Sequence, residues 1–252
     1  MDLMKIKLFN GIECKLKCLF YKSADLKAPV VVLLHPELKN EKEPSLLVQK
    51  TIESLIERGF SVIFFDFERN NNIITDPILK KQEELNEVIS VLSFASATFP
   101  LKNSLWIFSF ENTTLVTLQI VMRRPEITNY ILFFPAQKQK DFNFIIPCQA
   151  DGLLLYLSEN ESTMRDFINK LINKNNLKME TLSFDVRNTE KKENVKEILT
   201  KFEDFLAQKI DLLRNKKKII RRNIRKRKRK GIEKEVFKVI KQPLVTQLHF
   251  DD

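Results

Sequence analysis

Hydrophobic and polar positions alternate along this chain in two periods, which predict strands and helices in turn. Residues 4–9 and 12–20 alternate with a period of two on either side of Asn10-Gly11, which predicts a β-hairpin with a two-residue turn. The continuous apolar runs Pro29–Leu34 and Ser61–Phe67 are typical of strands buried on both faces of a parallel sheet. Further strands are predicted over Leu105–Phe108, Asn129–Phe134, Gly152–Leu157 and, more exposed and therefore near a sheet edge, Leu177–Phe184.

Helical periodicity fills the stretches between these strands. The predicted helices cover Ser45–Arg58, residues 78–97, a segment that ends before Pro125, Ser162–Asn173, and a last helix from about Glu193. Gly59 is the expected stop signal of the first helix. Because strands alternate with helices of ten to twenty residues, the chain is predicted to be an α/β protein with a mainly parallel sheet.

The charged residues are distributed unevenly along the chain, with the excess of basic residues near the C-terminus. The formal net charge is +10, from 43 Lys and Arg against 33 Asp and Glu. Residues 214–230 contain twelve Lys or Arg and no acid, whereas residues 1–213 contain 28 basic and 29 acidic residues. The last predicted helix runs into this basic segment without a Pro or Gly before Gly231. We therefore predict a body over 1–210 and a basic C-terminal extension over 211–252.

Several classes of protein are not favoured by the sequence. No run of eighteen apolar residues is present, so no membrane span is expected, and the N-terminal residues resemble neither a signal peptide nor a transit peptide. The three cysteines, Cys14, Cys18 and Cys148, are an odd number without metal-ligand spacing beyond one C-x-x-x-C, and they are interpreted as reduced thiols. Glu159 and Glu161 lie in a predicted loop, where two acids are usually just solvated. No metal or cofactor is therefore expected.

Several local strings resemble a group of small bacterial α/β-hydrolases that open with an L-H-P-H-P strand end. The similar strings are L-L-H-P (33–36), E-R-G-F-S-V (57–62), F-F-D-F (64–67), W-I-F-S-F (106–110), M-R-R-P-E-I (122–127), F-F-P-A (133–136) and D-F-N-F (141–144). The resemblance covers roughly residues 5–210. It implies an α/β-hydrolase-like three-layer sandwich without a large lid.

The same resemblance implies where a catalytic triad would lie. In this fold the nucleophilic serine occupies a sharp strand-to-helix turn of the form G-x-S-x-G, which corresponds here to Ser109–Thr113 with Glu111 in the serine position. The acid and histidine positions correspond to Asn160 and Asn188. Serine hydrolysis requires an imidazole base and an orienting carboxylate. The resemblance therefore implies a degenerate member without a catalytic triad, that is, a pseudoenzyme.

Other residues near these positions have alternative interpretations. Glu111 is either a carboxylate nucleophile or, more commonly, a surface carboxylate favoured by a helix N-terminus. Ser109 is a second candidate nucleophile but has no base beside it. His35 lies in the predicted first βα loop, where the resembling family places oxyanion-hole backbone, and His249 lies in the extension. Because Ser109 and Thr113 replace the two glycines, we expect a relaxed turn.

The basic segment indicates that the protein binds an anionic partner, and it offers no catalytic group. Its cations neutralise phosphates, and a basic helix binds structured RNA without reading its sequence. The RNA-binding residues are predicted to be Arg214, Lys216, Lys217, Lys218, Arg221, Arg222, Arg225, Lys226, Arg227, Lys228, Arg229 and Lys230. An anionic membrane surface is the runner-up, although the interleaved isoleucines anchor poorly.

The working hypothesis is a non-catalytic α/β-hydrolase-like structural protein that binds RNA, such as ribosomal RNA, and neighbouring proteins within a large ribonucleoprotein. The abundance of Lys, Asn, Ile and Phe and the four glycines fit an AT-rich genome. A mitochondrial ribosome in the matrix is therefore the expected setting, the chain being organelle-encoded or lacking a transit peptide, with the bacterial cytoplasm as the alternative. The rival functions are an atypical serine or carboxylate hydrolase or esterase, and a nuclear protein whose extension is a localisation signal.

Overall fold

The computed structural model describes ten stretches of the chain: 2–9, 15–25, 27–35, 45–66, 77–99, 104–134, 149–157, 161–169, 179–184 and 191–229. The chain divides into two compact units, Met1–Leu199 and Thr200–Asp252. The boundary between body and basic extension, predicted after residue 210, stays a prediction.

An eight-stranded sheet forms the centre of the first unit. Its strands are β1 (Asp2–Phe9), β2 (Lys15–Lys22), β3 (Val30–His35), β4 (Ser61–Asp66), β5 (Leu105–Phe110), β6 (Ile127–Phe133), β7 (Asp151–Leu157) and β8 (Met179–Phe184). The spatial order is β1-β2-β4-β3-β5-β6-β7-β8. Strand β2 pairs antiparallel with β1 and β4, and all other pairs are parallel. The mainly parallel sheet predicted from the sequence is confirmed.

Five helices accompany the sheet within the described residues. They are α1 (Leu46–Glu57), α2 (Pro77–Thr98), α3 (Thr114–Arg123), α4 (Glu161–Asn169) and α5 (Lys192–Arg229). Helix α1 ends as predicted, because Gly59 adopts a φ of 83° and its N–H donates to the Ile56 carbonyl. Helix α5 continues to Arg229, so the predicted passage of the last helix into the basic segment is confirmed.

Burial explains why the central strands are continuous apolar runs. Val31 and Leu33 alternate with Val32 and Leu34 along β3, and all four are fully buried because both faces of the sheet are covered. Strand β8 lies at the sheet edge, and all of its residues before the buried Phe184 are exposed or half-buried. The prediction of a more exposed edge strand is therefore confirmed.

The N-terminal hairpin differs from the prediction in its turn. Strands β1 and β2 pair antiparallel as expected, but Phe9 is the register partner of Lys15, which leaves residues 10–14 between them. A two-residue turn at Asn10-Gly11 is therefore wrong, whereas the predicted start of the second strand at residue 12 lies outside the described residues. The turn signal identified the place but not the length of the connection.

Two classes of feature are absent from the part of the chain that the structure describes. There, no helix is long and apolar enough to cross a bilayer. The same residues include no group of three or more His, Cys, Asp or Glu placed to hold a metal ion.

Candidate functional site

Three neighbouring parallel strands end at one edge of the sheet and place the candidate residues there. In the parallel register Leu34 pairs with Ser109, and Phe110 pairs with Phe133. The ends of β3, β5 and β6 are therefore level with one another. The carboxyl edge of an open α/β sheet is where ligands usually bind, so the residues that follow these strands are the natural candidates for function.

Glu111 is the first residue after β5 and adopts a left-handed backbone with a φ of 46°. It begins a 3-10 turn, Glu111–Thr113, that leads directly into α3, and its side chain is exposed. Such a conformation costs a non-glycine residue about 1–3 kcal/mol and persists only where the surrounding structure imposes it. The expectation of a relaxed turn is therefore wrong: the sharp strand-to-helix turn is kept without its glycines.

Thr113 supplies much of the constraint that holds this turn. Its buried hydroxyl oxygen accepts a hydrogen bond from the Phe110 N–H at 3.1 Å. The same hydroxyl lies 2.8 Å from the Phe110 carbonyl and 3.3 Å from the Leu34 carbonyl on the neighbouring strand, either of which accepts its proton. Thr114 adds a hydrogen bond from its hydroxyl to the Glu111 carbonyl at 2.9 Å. The turn is thus fixed to both β5 and β3 by side chains.

Ser109 does not reach this site as a nucleophile. It lies within β5, its side chain is fully buried, and its Oγ has no hydrogen-bond partner among the described residues. A buried hydroxyl without a partner costs about 1–3 kcal/mol. Because a fully buried hydroxyl offers no access to a substrate, Ser109 is a residue of the sheet interior.

His35 occupies a different place from the one expected. It is the last residue of β3 instead of a loop residue, and it is half-buried. Its ring lies 5.9 Å from the Phe64 ring and 6.1 Å from the Phe110 ring, measured between centroids. The structure therefore brings His35 and Glu111 to the ends of adjacent strands at the same edge, whereas His249 lies outside the described residues.

A row of phenylalanines along this edge was missed by reasoning from the sequence. Phe110 stacks on Phe133 with centroids 4.4 Å apart and planes 9° from parallel. Phe134 contacts Phe133 and Phe184 edge to face at 6.4 and 6.3 Å. Phe134 has a left-handed φ of 50°, and its N–H donates to the Leu155 carbonyl. The available signal was that each of these strands ends on an aromatic residue, which makes the edge beside Glu111 apolar.

The remaining predicted positions are only partly described. Asn160 and Asn188, the expected acid and histidine positions, and Glu159 lie outside the described residues. The predicted RNA-binding residues from Arg214 to Arg229 lie on helix α5, and Lys230 lies outside the described part. Helix α5 therefore carries eleven of the twelve predicted RNA-binding positions.

Comparisons with known proteins give one relative by sequence and many by structure. No family model matches the chain. An uncharacterized protein of Rickettsia prowazekii is 26% identical over 177 residues, which cover 66% of this chain and 72% of the relative.

The similar solved structures are alpha/beta-hydrolase-like. A protein of unknown function from Agrobacterium tumefaciens, named as an alpha/beta-hydrolase candidate, has a TM-score of 0.67 at 21% identity and covers 82% of this chain and 97% of its own. An alpha-beta serine hydrolase homologue from Coxiella burnetii has a TM-score of 0.64 at 13% identity, covering 83% and 98%. A dienelactone hydrolase from Anabaena variabilis has a TM-score of 0.62 at 11% identity, covering 82% and 97%. The fold of this chain is that of the α/β-hydrolases.

Proposed function

We propose that this is an α/β-hydrolase-type protein that lacks serine-hydrolase activity and binds RNA through the basic part of helix α5. One observation carries the RNA proposal: the helix continues to Arg229 through a segment with twelve Lys or Arg and no acid, while residues 1–213 have a net charge of −1. A charge separation this complete points to a separate, anionic partner.

The geometry of the turn after β5 supports the loss of serine chemistry. The position that resembles a nucleophile carries Glu111, and the nearby Ser109 is buried within its strand. By the family resemblance, Asn160 and Asn188 replace the acid and the base. A chain with these substitutions has no group that takes the proton from a serine hydroxyl.

Phosphate neutralisation supports RNA as the partner. Each cation that contacts a phosphate releases condensed counterions, so affinity falls steeply as salt rises. A ribonucleoprotein supplies both the RNA and neighbouring proteins for the hydrolase-like body. We further propose a setting of bacterial descent, in a mitochondrial ribosome or in a bacterial cytoplasm, and the Rickettsia relative supports the bacterial descent.

Two truncations test the RNA proposal. Removing residues 214–252 takes away a net charge of +11, whereas the matched removal of 231–252 takes away three Lys and four acids and leaves the basic helix in place. We expect the first truncation to abolish binding to structured RNA across a salt series, and the second to retain it with the same salt dependence. Equal binding by both truncated chains would contradict the proposal.

A hydrolase with an unusual site is the second candidate, and the comparisons support this one more directly. The similar structures with a named activity are hydrolases, and the strained, exposed Glu111 occupies the turn after β5 with His35 at the end of the adjacent strand. A carboxylate nucleophile attacks a saturated substrate carbon, expels a halide or opens an epoxide ring at that carbon, and is left as a covalent ester. Water that has given a proton to a base then adds to the ester carbonyl, which releases the alcohol and restores the carboxylate.

Turnover of small esters, alkyl halides and epoxides tests this candidate. If Glu111 is the nucleophile, Glu111→Gln abolishes hydrolysis, and mass spectrometry detects a covalent adduct on the wild-type peptide that contains residue 111. Glu53→Gln, at an exposed position of α1, is the matched control and retains activity. Absence of turnover by the wild-type chain across the panel argues for the first proposal.

A further inference from the structure

We infer that the nucleic acid bound by helix α5 is duplex RNA, contacted through its phosphates by one half of the helix. This inference rests on the proposed RNA binding and specifies the class of RNA and the contact surface. Three features of the segment 214–229 carry it: the arrangement of cations around the helix, their spacing along it, and the absence of aromatic residues.

Cations are not distributed evenly around this helix. Successive residues of an α-helix are about 100° apart, and on that basis nine of the eleven Lys and Arg positions between 214 and 229 fall in one half of the helix. We call this half the basic half; its positions are 214, 217, 218, 221, 222, 225, 226, 228 and 229. Within 214–229 the opposite half holds Ile219, Ile220, Asn223 and Ile224 together with Lys216 and Arg227.

Within the basic half, one row runs along the helix. Its members are Arg214, Lys218, Arg221, Arg225 and Lys228, which alternate steps of four and three residues. At about 1.5 Å per residue the steps are about 4.5–6 Å, and the segment from 214 to 229 is about 22 Å long. A continuous row with steps of this size suits a rigid array of phosphates such as a duplex backbone.

Aromatic residues are missing where single-strand recognition would need them. Proteins that bind single-stranded nucleic acid stack its bases on aromatic side chains. No Phe, Tyr or Trp occurs between Phe205 and Phe237, so the segment offers no aromatic stacking platform. Duplex RNA, by contrast, is recognised through its shape, its phosphates and its 2′-hydroxyls, which require only hydrogen-bond donors and positive charge.

Two charge-matched double variants of the full chain test the surface. Arg221→Gln with Arg225→Gln removes two charges from the basic half, and Lys216→Gln with Arg227→Gln removes two from the opposite half. Glutamine keeps the helix propensity of the residues it replaces. We expect the first pair to weaken binding to a duplex RNA of about 20 base pairs roughly tenfold, and to lower the slope of log affinity against log salt concentration by about 2. The second pair is expected to weaken binding roughly twofold and to lower that slope by less than about 1.

The probes distinguish the kind of nucleic acid. The wild-type chain is expected to bind the RNA duplex at least about tenfold more tightly than one of its strands alone, and more tightly than a DNA duplex of the same sequence. This inference is overturned, with RNA binding left intact, if the two double variants lose affinity for the duplex equally. It is also overturned if the wild-type chain binds the single strand as tightly as the duplex. Absence of binding to every probe overturns the proposed RNA binding itself.

Discussion

At the scale of the residue, Glu111 combines two properties that rarely occur together. Its backbone is left-handed, which favours glycine, and its side chain is long, charged and exposed. The Thr113 hydroxyl, which bonds to the backbone of both β5 and β3, holds the turn in this form. The strain is therefore local to one residue, and removing the side chain at that residue is expected to release it.

Replacing Glu111 with glycine is expected to stabilise the protein relative to Glu111→Ala by about 1 kcal/mol, because only alanine has a Cβ that opposes a positive φ. Glu53, in the middle of α1, is the control, where glycine is expected to be about 1 kcal/mol less stable than alanine. Urea unfolding of the four variants measures both differences. If glycine is less stable than alanine at position 111 as well as at position 53, a strained backbone at Glu111 is contradicted.

Cys18 is expected to be unreactive while the protein is folded. The side chain is buried, and burial raises the pKa of its thiol from 9.0 to about 12 because the thiolate is desolvated. At pH 8, a thiol reagent should therefore modify Cys18 in urea but not in native buffer, as read by mass spectrometry of the peptide containing it. Rapid modification of native Cys18 would show that its environment opens readily.

The same pKa shift predicts a pH dependence. The folded-state pKa lies above the unfolded one, so the contribution to stability is complete below pH 9.0 and falls as the pH rises toward about 12. Between pH 9 and 11 the free energy of unfolding of the wild type should decrease more steeply than that of Cys18→Ala. If the free energy of unfolding falls with pH equally steeply in the two proteins, the raised pKa of Cys18 is contradicted.

Reasoning from sequence was weakest at individual residues of the turn. The loss of two glycines suggested a relaxed conformation, because glycine is the usual residue at a strained turn. The Thr113 hydroxyl contacts the Leu34 carbonyl, 79 residues away in the chain, and no local pattern reports such a contact. His35 was likewise placed in the first βα loop because the predicted strand ended at Leu34, whereas pairing with Asp66 of β4 keeps it in the strand.

At the scale of the element, the sequence pattern was sufficient to identify every strand and α-helix that the structure describes, but not the 3-10 turn Glu111–Thr113. The runs that became β3, β4 and β5 are buried on both faces, and their short length and β-branched and aromatic content distinguished them from buried helices. The length of the N-terminal turn was not predictable, because register depends on which side chains of β2 pair with β4 as well as on the turn.

A glycine lies where β6 and β7 pair closely. Gly152 is the register partner of Tyr130, and a Cβ on Gly152 would overlap the fully buried Tyr130 ring. Gly152→Ala is therefore expected to destabilise the protein by about 1–3 kcal/mol through overpacking. The Gly152→Ala, Tyr130→Leu double variant should lose less stability than the sum of the single losses, as a double-mutant cycle measures.

Gly59→Ala is the comparison for this prediction. Gly59 has a φ of 83° with nothing within 4 Å of an added Cβ, so its loss of about 1 kcal/mol reflects backbone strain alone. That loss should stay the same in a Tyr130→Leu background. If Tyr130→Leu rescues both glycine variants equally, the overlap between Tyr130 and residue 152 is not the cause.

At the scale of the whole molecule, the similarity to hydrolases extends over most of the chain, whereas the excess positive charge is confined to its C-terminal segment. The solved structures match about four fifths of this chain while covering nearly all of their own length, so a stretch of this chain has no counterpart in them. Residues 214–252 carry a net charge of +11 and residues 1–213 a net charge of −1. A body with almost no net charge has little long-range attraction for RNA, so any association should depend on the basic segment.

This dependence predicts how the protein behaves in its own cells. The full chain is expected to sediment with large complexes in a density gradient and to move to the top of the gradient after ribonuclease treatment. A chain in which the twelve cations of 214–230 are replaced by glutamine should remain at the top without ribonuclease, because it keeps the body but not the phosphate contacts. A chain lacking only 231–252 is the control and should sediment like the wild type. Sedimentation of the glutamine variant with the large complexes would show that the body, and not the basic helix, holds the protein there.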